Sequence, residues 1–161
     1  MKHELVIYPN PILEKECEKV KLPLSKEDRE LLDEMYDFVK DPENEAVGLA
    51  APQFGVSKCM FVIRHKDTEG KIDFQVKMVN PTVLPDAGAR KTYCVKGGEG
   101  CLSEPGKHVV VNRYNKVMLM GYDAITNKFV KYKLTGFLAA AVQHEQDHLR
   151  GKLLADYEAA L

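Results

Sequence analysis

No run of apolar residues in this chain approaches the length that spans a bilayer, and its start, MKHELVIYPN, lacks the apolar core of a secretory signal. Both absences lead us to expect a soluble, cytoplasmic protein with no membrane partner. Positive charge is not in excess either: 23 Lys and Arg stand against 24 Asp and Glu, a formal net charge of -1. No basic footprint for nucleic acid is therefore expected. There is no C-x-x-C pair. Cys17, Cys59, Cys94 and Cys101 are scattered, which suits a reducing compartment better than a disulfide framework, and the first three read as plain buried or half-buried thiols. Internal repeats, low-complexity stretches and linkers are absent too. With 161 residues, the chain is long enough to bury a core without covalent staples, so a single domain over 1–161 is expected.

Prolines in YPNPIL and LPL forbid a regular helix over residues 5–23 and predict an extended arm. Ser25, followed three residues later by Asp28, reads as a helix start. Leu31, Leu32, Met35, Phe38 and Val39 then recur at helical spacing. The segments CMFVIRH, FQVKMVNPTVL and RKTYCV read as strands, and residues 109–134 as a hairpin around the turn AITN. GFLAAAVQHEQDHLR is alanine-rich without internal Gly or Pro, and Gly151 marks its stop. The expected fold is α+β, with antiparallel β-sheets packed around a central C-terminal helix plus one N-terminal helix.

That last helix carries H-E-x-x-H at His144, Glu145 and His148. Histidines four apart share a helix face and can bind one metal ion, while the intervening glutamate is placed to move the protons of a water. With 5 His in the chain, chance placement gives an expected count of roughly 0.01 for this pattern. A third ligand is needed. The longer zinc-protease pattern continues as far as Gly151 but ends on Leu154, which cannot ligate, and Glu158 lies in the last few residues. Upstream, Cys101 in GGEGCLSEPG is the best candidate, because a thiolate suits zinc or Fe(II) and the glycines permit close approach. Two His and one Cys leave a fourth position open, as a catalytic metal requires. A cysteine hydrolase using Cys101 as nucleophile and His144 as base is the other formal reading, and it leaves His148 and Glu145 without a task.

VGLAAPQ, EGCLS and QHEQDH, in that order, closely resemble the motifs of the peptide deformylases. The resemblance spans residues 46–148 and implies a metal-dependent hydrolase that removes the N-formyl group from the formyl-methionine of newly synthesised bacterial proteins. It implies one divalent metal per chain, natively Fe(II), with Zn(II), Ni(II) or Co(II) also suited. Cys101, His144 and His148 would be the ligands and Glu145 the general acid/base, acting on a metal-activated water. Gln53 and the Leu102 backbone N–H would stabilise the developing oxyanion. Val47, Gly48 and Glu99 would contact the peptide, and Phe137, Ala140 and Ala141, which share the His144 face of the helix, would wall the methionine pocket. The chain departs from the family pattern at Ala46, where members carry glycine, and at His108, where many carry an arginine that contacts the substrate. If the first position needs positive φ, an alanine there costs activity, and the alternative reading is a catalytically weak deformylase-like metal- and peptide-binding protein. Only thirteen residues follow the motif, so ribosome docking by a C-terminal tail is not expected.

Overall fold

The computed structural model describes residues 2–159. The proline-rich arm runs extended along the body, interrupted by one 3-10 turn at Pro11–Glu14, where the Asn10 side chain accepts the Ile12 N–H. Helix α1 (Lys26–Lys40) starts as its sequence predicts: the Ser25 hydroxyl accepts the Asp28 N–H, and Glu27 and Asp28 face the positive helix end. Its buried stripe is Leu31, Leu32, Met35 and Val39.

Strands β1 (Gly48–Ala50), β2 (Met60–Lys66), β3 (Ile72–Pro85), β4 (Lys116–Asp123) and β5 (Lys128–Thr135) form one antiparallel sheet in sequence order, so β1 and β5 are its edges. Helix α2 (Gly136–Leu149) packs Ala139, Val142 and Leu149 on one face, against Phe61, Ile63, Val76, Val117 and Leu119. Leu32 and Met35 of α1 pack against Met60, Val62 and Val79. Helix α1 lies over β1 and β2, while the outward side chains of β5 stay exposed. No described helix is long and apolar enough to cross a membrane.

Three local expectations change. The segments around Tyr93 and Val109 are not strands; only the isolated pairs Tyr93–Arg113 and Glu99–Val109 form, because Gly97 and Gly98 adopt φ of 81° and 87° and turn the chain. A third helix, α3 (Leu154–Ala159), follows Gly151. Its first N–H groups, on Leu154 and Ala155, donate to the Glu104 carboxylate, a cap lent from a distant loop that no local pattern reveals. Finally, Cys17 and Cys59 are not separate thiols but form a disulfide, with Cα atoms 5.3 Å apart. The arm brings them together: Glu18 pairs with Lys58 in a parallel bridge, and the Cys17 N–H donates to the Leu149 carbonyl. Cys94 is free but exposed.

Candidate metal centre and active site

On α2, His144 and His148 point the same way, with ring centroids 5.0 Å apart. The loop after Gly98 brings Cys101 beneath them. Donor atoms of Cys101, His144 and His148 all lie within 4.8 Å of one another, and Cys101 Sγ is 3.4 Å from His148 Nε2. His144 Nδ1 lies 3.0 Å from Glu99 Oε1, an arrangement that directs the opposite ring nitrogen inward.

The two imidazoles are shifted in opposite directions. Burial disfavours charge on His144, but its hydrogen bonds to Cys101 and Glu99 outweigh this and hold the imidazole well above its ordinary range. His148 is driven the other way, well below its ordinary range, by burial and by the positive charges of His144 and Arg113. Two buried polar atoms beside them, His148 Nδ1 and Glu145 Oε1, have no partner among the described residues. A divalent ion fits this donor set chemically, because imidazole and thiolate are ligands of Fe(II) and Zn(II).

Glu145 is buried against β1. Burial, reinforced by the negative charges of Glu99 and Asp147 and partly offset by His144 and Arg113, pushes its carboxyl up to about 7. A Cβ at Gly48 would lie 2.6 Å from Glu145 Oε2 and 2.9 Å from Ile63 Cδ1. Gly48→Ala should therefore displace the carboxylate and lower kcat by about a hundredfold, the effect of an ångström-scale misplacement. Steady-state kinetics alongside a thermal melt would check this; unchanged turnover would mean that Glu145 has room to move.

Gln53 follows β1 in a 3-10 turn, Ala51–Phe54. Its Oε1 accepts the Ala50 N–H at 2.9 Å, which fixes the amide so that Nε2 points at Ser103 Oγ (3.1 Å) and Cys101 Sγ (3.7 Å). The Leu102 N–H has no acceptor among the described residues. Both donors border a cavity of about 630 Å³ that has His144, Glu145 and Cys101 on its wall. Val47, Gly48, Phe137, Ala140 and Ala141 line it as well, so the residues expected to meet a peptide are brought together with those expected to react.

Glu99 also borders the cavity, but its oxygens are turned away from it. Oε1 accepts from Arg113 Nη2 at 2.7 Å and meets His144 Nδ1, while Oε2 accepts from Arg113 Nε at 2.9 Å. Burial raises its affinity for a proton, but these hydrogen bonds prevail and hold it below the usual carboxylate range. Arg113 extends the network to Asp147 Oδ2 (2.6 Å) and to the Tyr157 hydroxyl (3.1 Å), which itself donates to Asp147. Sequence reasoning missed Arg113, Asp147 and Tyr157. The one available signal was Asp147 inside the motif itself, on the turn next to His148.

Ala46 does not occupy a left-handed backbone position; Glu45 before it does, at φ 49°. Its methyl packs against the α1 side of the core, so the departure from glycine needs no strain. His108 stands at the cavity mouth, its ring 3.8 Å from where a Gly100 Cβ would lie.

Two imidazoles and a thiol converging on one point, a buried acid beside them, and two hydrogen-bond donors across an open cleft define a metallohydrolase. The polypeptide deformylase family model matches residues 2–160, and the chain belongs to that family. It is 38% identical to the peptide deformylase of Shouchella clausii, over 95% of this chain and 87% of the relative. Among solved structures, a peptide deformylase from Legionella pneumophila superposes with a TM-score of 0.79 at 34% identity, covering 96% of this chain and 84% of that one. The Met-Ala-Ser-bound class I type b enzyme of Acinetobacter baumannii gives a TM-score of 0.80 at 28% identity, covering 97% and 98%. The protein is thus a deformylase.

Proposed function

We propose that the protein hydrolyses the formyl amide of N-formylmethionyl nascent peptides in the bacterial cytoplasm. In this reading Cys101, His144 and His148 hold one divalent metal, natively Fe(II). The observation that carries it is the meeting of three sets of groups at one cavity: Cys101 and His144 on its wall with buried His148 beside them, the unpartnered Glu145 Oε1, and the Gln53 and Leu102 N–H groups. When bound, the metal would acidify water and polarise the formyl carbonyl.

The chain's own residues do the rest. Val47 and Gly48 open the free edge of the sheet at β1, where an extended peptide adds by strand-like pairing. Its methionine side chain enters the pocket between Phe137, Ala140 and Ala141. Gln53 Nε2 and the Leu102 N–H donate to the formyl oxygen as it gains charge, each worth about 3 kcal/mol in a dry site. Glu145 takes a proton from the attacking water and returns it to the departing amine, so that formate and a free N-terminus leave. Glu99 acts on His144 as a positioning residue rather than on the peptide.

The direct test is formate release from a formyl-Met peptide by protein prepared without oxygen and loaded with Fe(II). We expect rapid release that a chelator abolishes. Protein carrying one metal per chain but releasing no formate would favour the reading as a metal- and peptide-binding protein. The pH dependence has a defined sign. Glu145 must be ionised to accept the water proton, and its carboxyl sits at about 7 without metal. A neighbouring divalent cation favours the carboxylate, so kcat/KM should fall with decreasing pH along an acid limb centred below 7. A limb above 7 would count against Glu145 as the base.

A further inference from the structure

The formal net charge of -1 conceals an uneven distribution. Between Gly88 and Thr135 the chain has nine Lys or Arg and only three Asp or Glu. All three acids, Glu99, Glu104 and Asp123, are buried and hydrogen-bonded inside the fold. This stretch therefore presents cations to solvent with no exposed acid of its own.

Several of the cations share one place, the outward side of β4 and β5. Cross-strand register sets Lys133 opposite Met118 and Lys131 opposite Met120, with Lys116 at the start of β4 and Phe129 opposite Tyr122 at the far end. Lys131 and Lys133 are exposed, and Phe129 is 76% exposed, the most of any large apolar side chain among the described residues. Lys116, Lys128, Lys131 and Lys133 form no ion pair among the described residues. Lysines alone could serve to keep an edge strand from pairing with another chain. That need does not explain Phe129, which meets Tyr122 edge-on yet leaves most of its ring in water at the end of the same row.

We infer that this face binds single-stranded RNA, with Lys116, Lys131 and Lys133 meeting phosphates and Phe129 offering a stacking surface to a base. Alternate residues of one strand stand about 7 Å apart on the same side, so Lys131 and Lys133 present a regular row of charge to a polyphosphate. Aromatic faces beside such rows are the common means of holding unpaired bases. An anionic bilayer fits less well. Insertion needs a continuous protruding apolar patch, whereas here Met118, Met120 and Tyr122, which run between Leu84 and Phe129 on this face, are half-buried and do not protrude. The surface lies apart from the catalytic cavity, whose wall includes no residue of β4 or β5.

The test is fluorescence anisotropy of a labelled single-stranded RNA oligonucleotide with the metal-loaded full chain over a range of salt. Binding should weaken with salt at a logarithmic slope of about 2 to 3, as expected for three or four phosphate contacts. Lys131→Glu with Lys133→Glu should weaken binding about tenfold or more, Lys131→Gln with Lys133→Gln by less, and Phe129→Ala about fivefold, the low end of a stacking contribution. Formate release from a formyl-Met peptide should be unchanged in all three, which separates this surface from the catalytic reading. No binding at low salt, binding indifferent to the paired charge reversal, or stronger capture by phosphatidylserine vesicles than by RNA would each overturn the inference.

Discussion

Glu145→Gln is expected to keep the metal and lower kcat for formate release by about a hundred- to ten-thousand-fold, the usual range for a general acid–base group. Glutamine preserves the shape of the side chain beside Gly48 but can neither take nor return a proton. Metal content by elemental analysis and kcat on the same preparation decide the matter. A small loss would instead favour Cys101 as a nucleophile with His144 as its base. The substitution should also act on stability, in the opposite sense. The Glu145 carboxyl rises from an ordinary 4.5 to about 7 in the folded metal-free protein, so the folded state holds the proton more tightly than the unfolded one. Its contribution to stability is whole below about 4.5 and is lost as pH rises through 7, a difference of about 3 kcal/mol. Metal-free Glu145→Gln, permanently neutral, should therefore be the more stable protein above pH 7, with the gap closing as the pH falls. Urea unfolding at both ends of that range checks it.

Arg113→Met should produce the largest loss of stability, about 3 to 5 kcal/mol, because it leaves Glu99 buried and uncompensated and frees Asp147 and Tyr157. In a domain of this size that is about a 10 °C fall in Tm. Metal affinity should also drop, by about ten- to a hundredfold, since Glu99 no longer holds His144 in one orientation. A competition titration against a chelator measures the second effect and a melt the first. Adding Glu99→Gln to Arg113→Met should cost less than the two single changes together. Full additivity would show that the pair does not act as a unit.

The clustering of Cys101, His144 and His148 was legible in the sequence because the proposed chemistry demands fixed spacing: H-E-x-x-H must sit on one helix face, and Cys101 needs a glycine-rich approach. The strands around Val62, Val76 and Leu119 were legible from their apolar runs, and α1 from Ser25 and its stripe. What escaped depends on contacts between distant segments. Arg113 lies in VVVNRYNK, which reads as a strand; only the fold shows that its guanidinium reaches Glu99 and Asp147. Glu99 was expected from the family resemblance to touch substrate, yet its oxygens are occupied by Arg113 and His144. The Cys17–Cys59 bridge joins positions 42 apart with no spacing signature, and appears once the arm is laid beside β2.

That arm has a consequence for how the enzyme is made. The Val6 N–H donates to the Gln53 carbonyl and the Tyr8 N–H to the Ser103 carbonyl, each at 2.7 Å, so alternate residues of one extended segment fasten the two stretches that flank Leu102 and carry the Gln53 amide. Val6 can thus dock once Gln53 has been made, whereas Tyr8 has no acceptor until the chain reaches Ser103. Such non-local closures are slow steps in folding. Catalytic competence should consequently appear late, after the sheet has formed, and an amide-exchange time course should find Tyr8 gaining protection together with the onset of turnover.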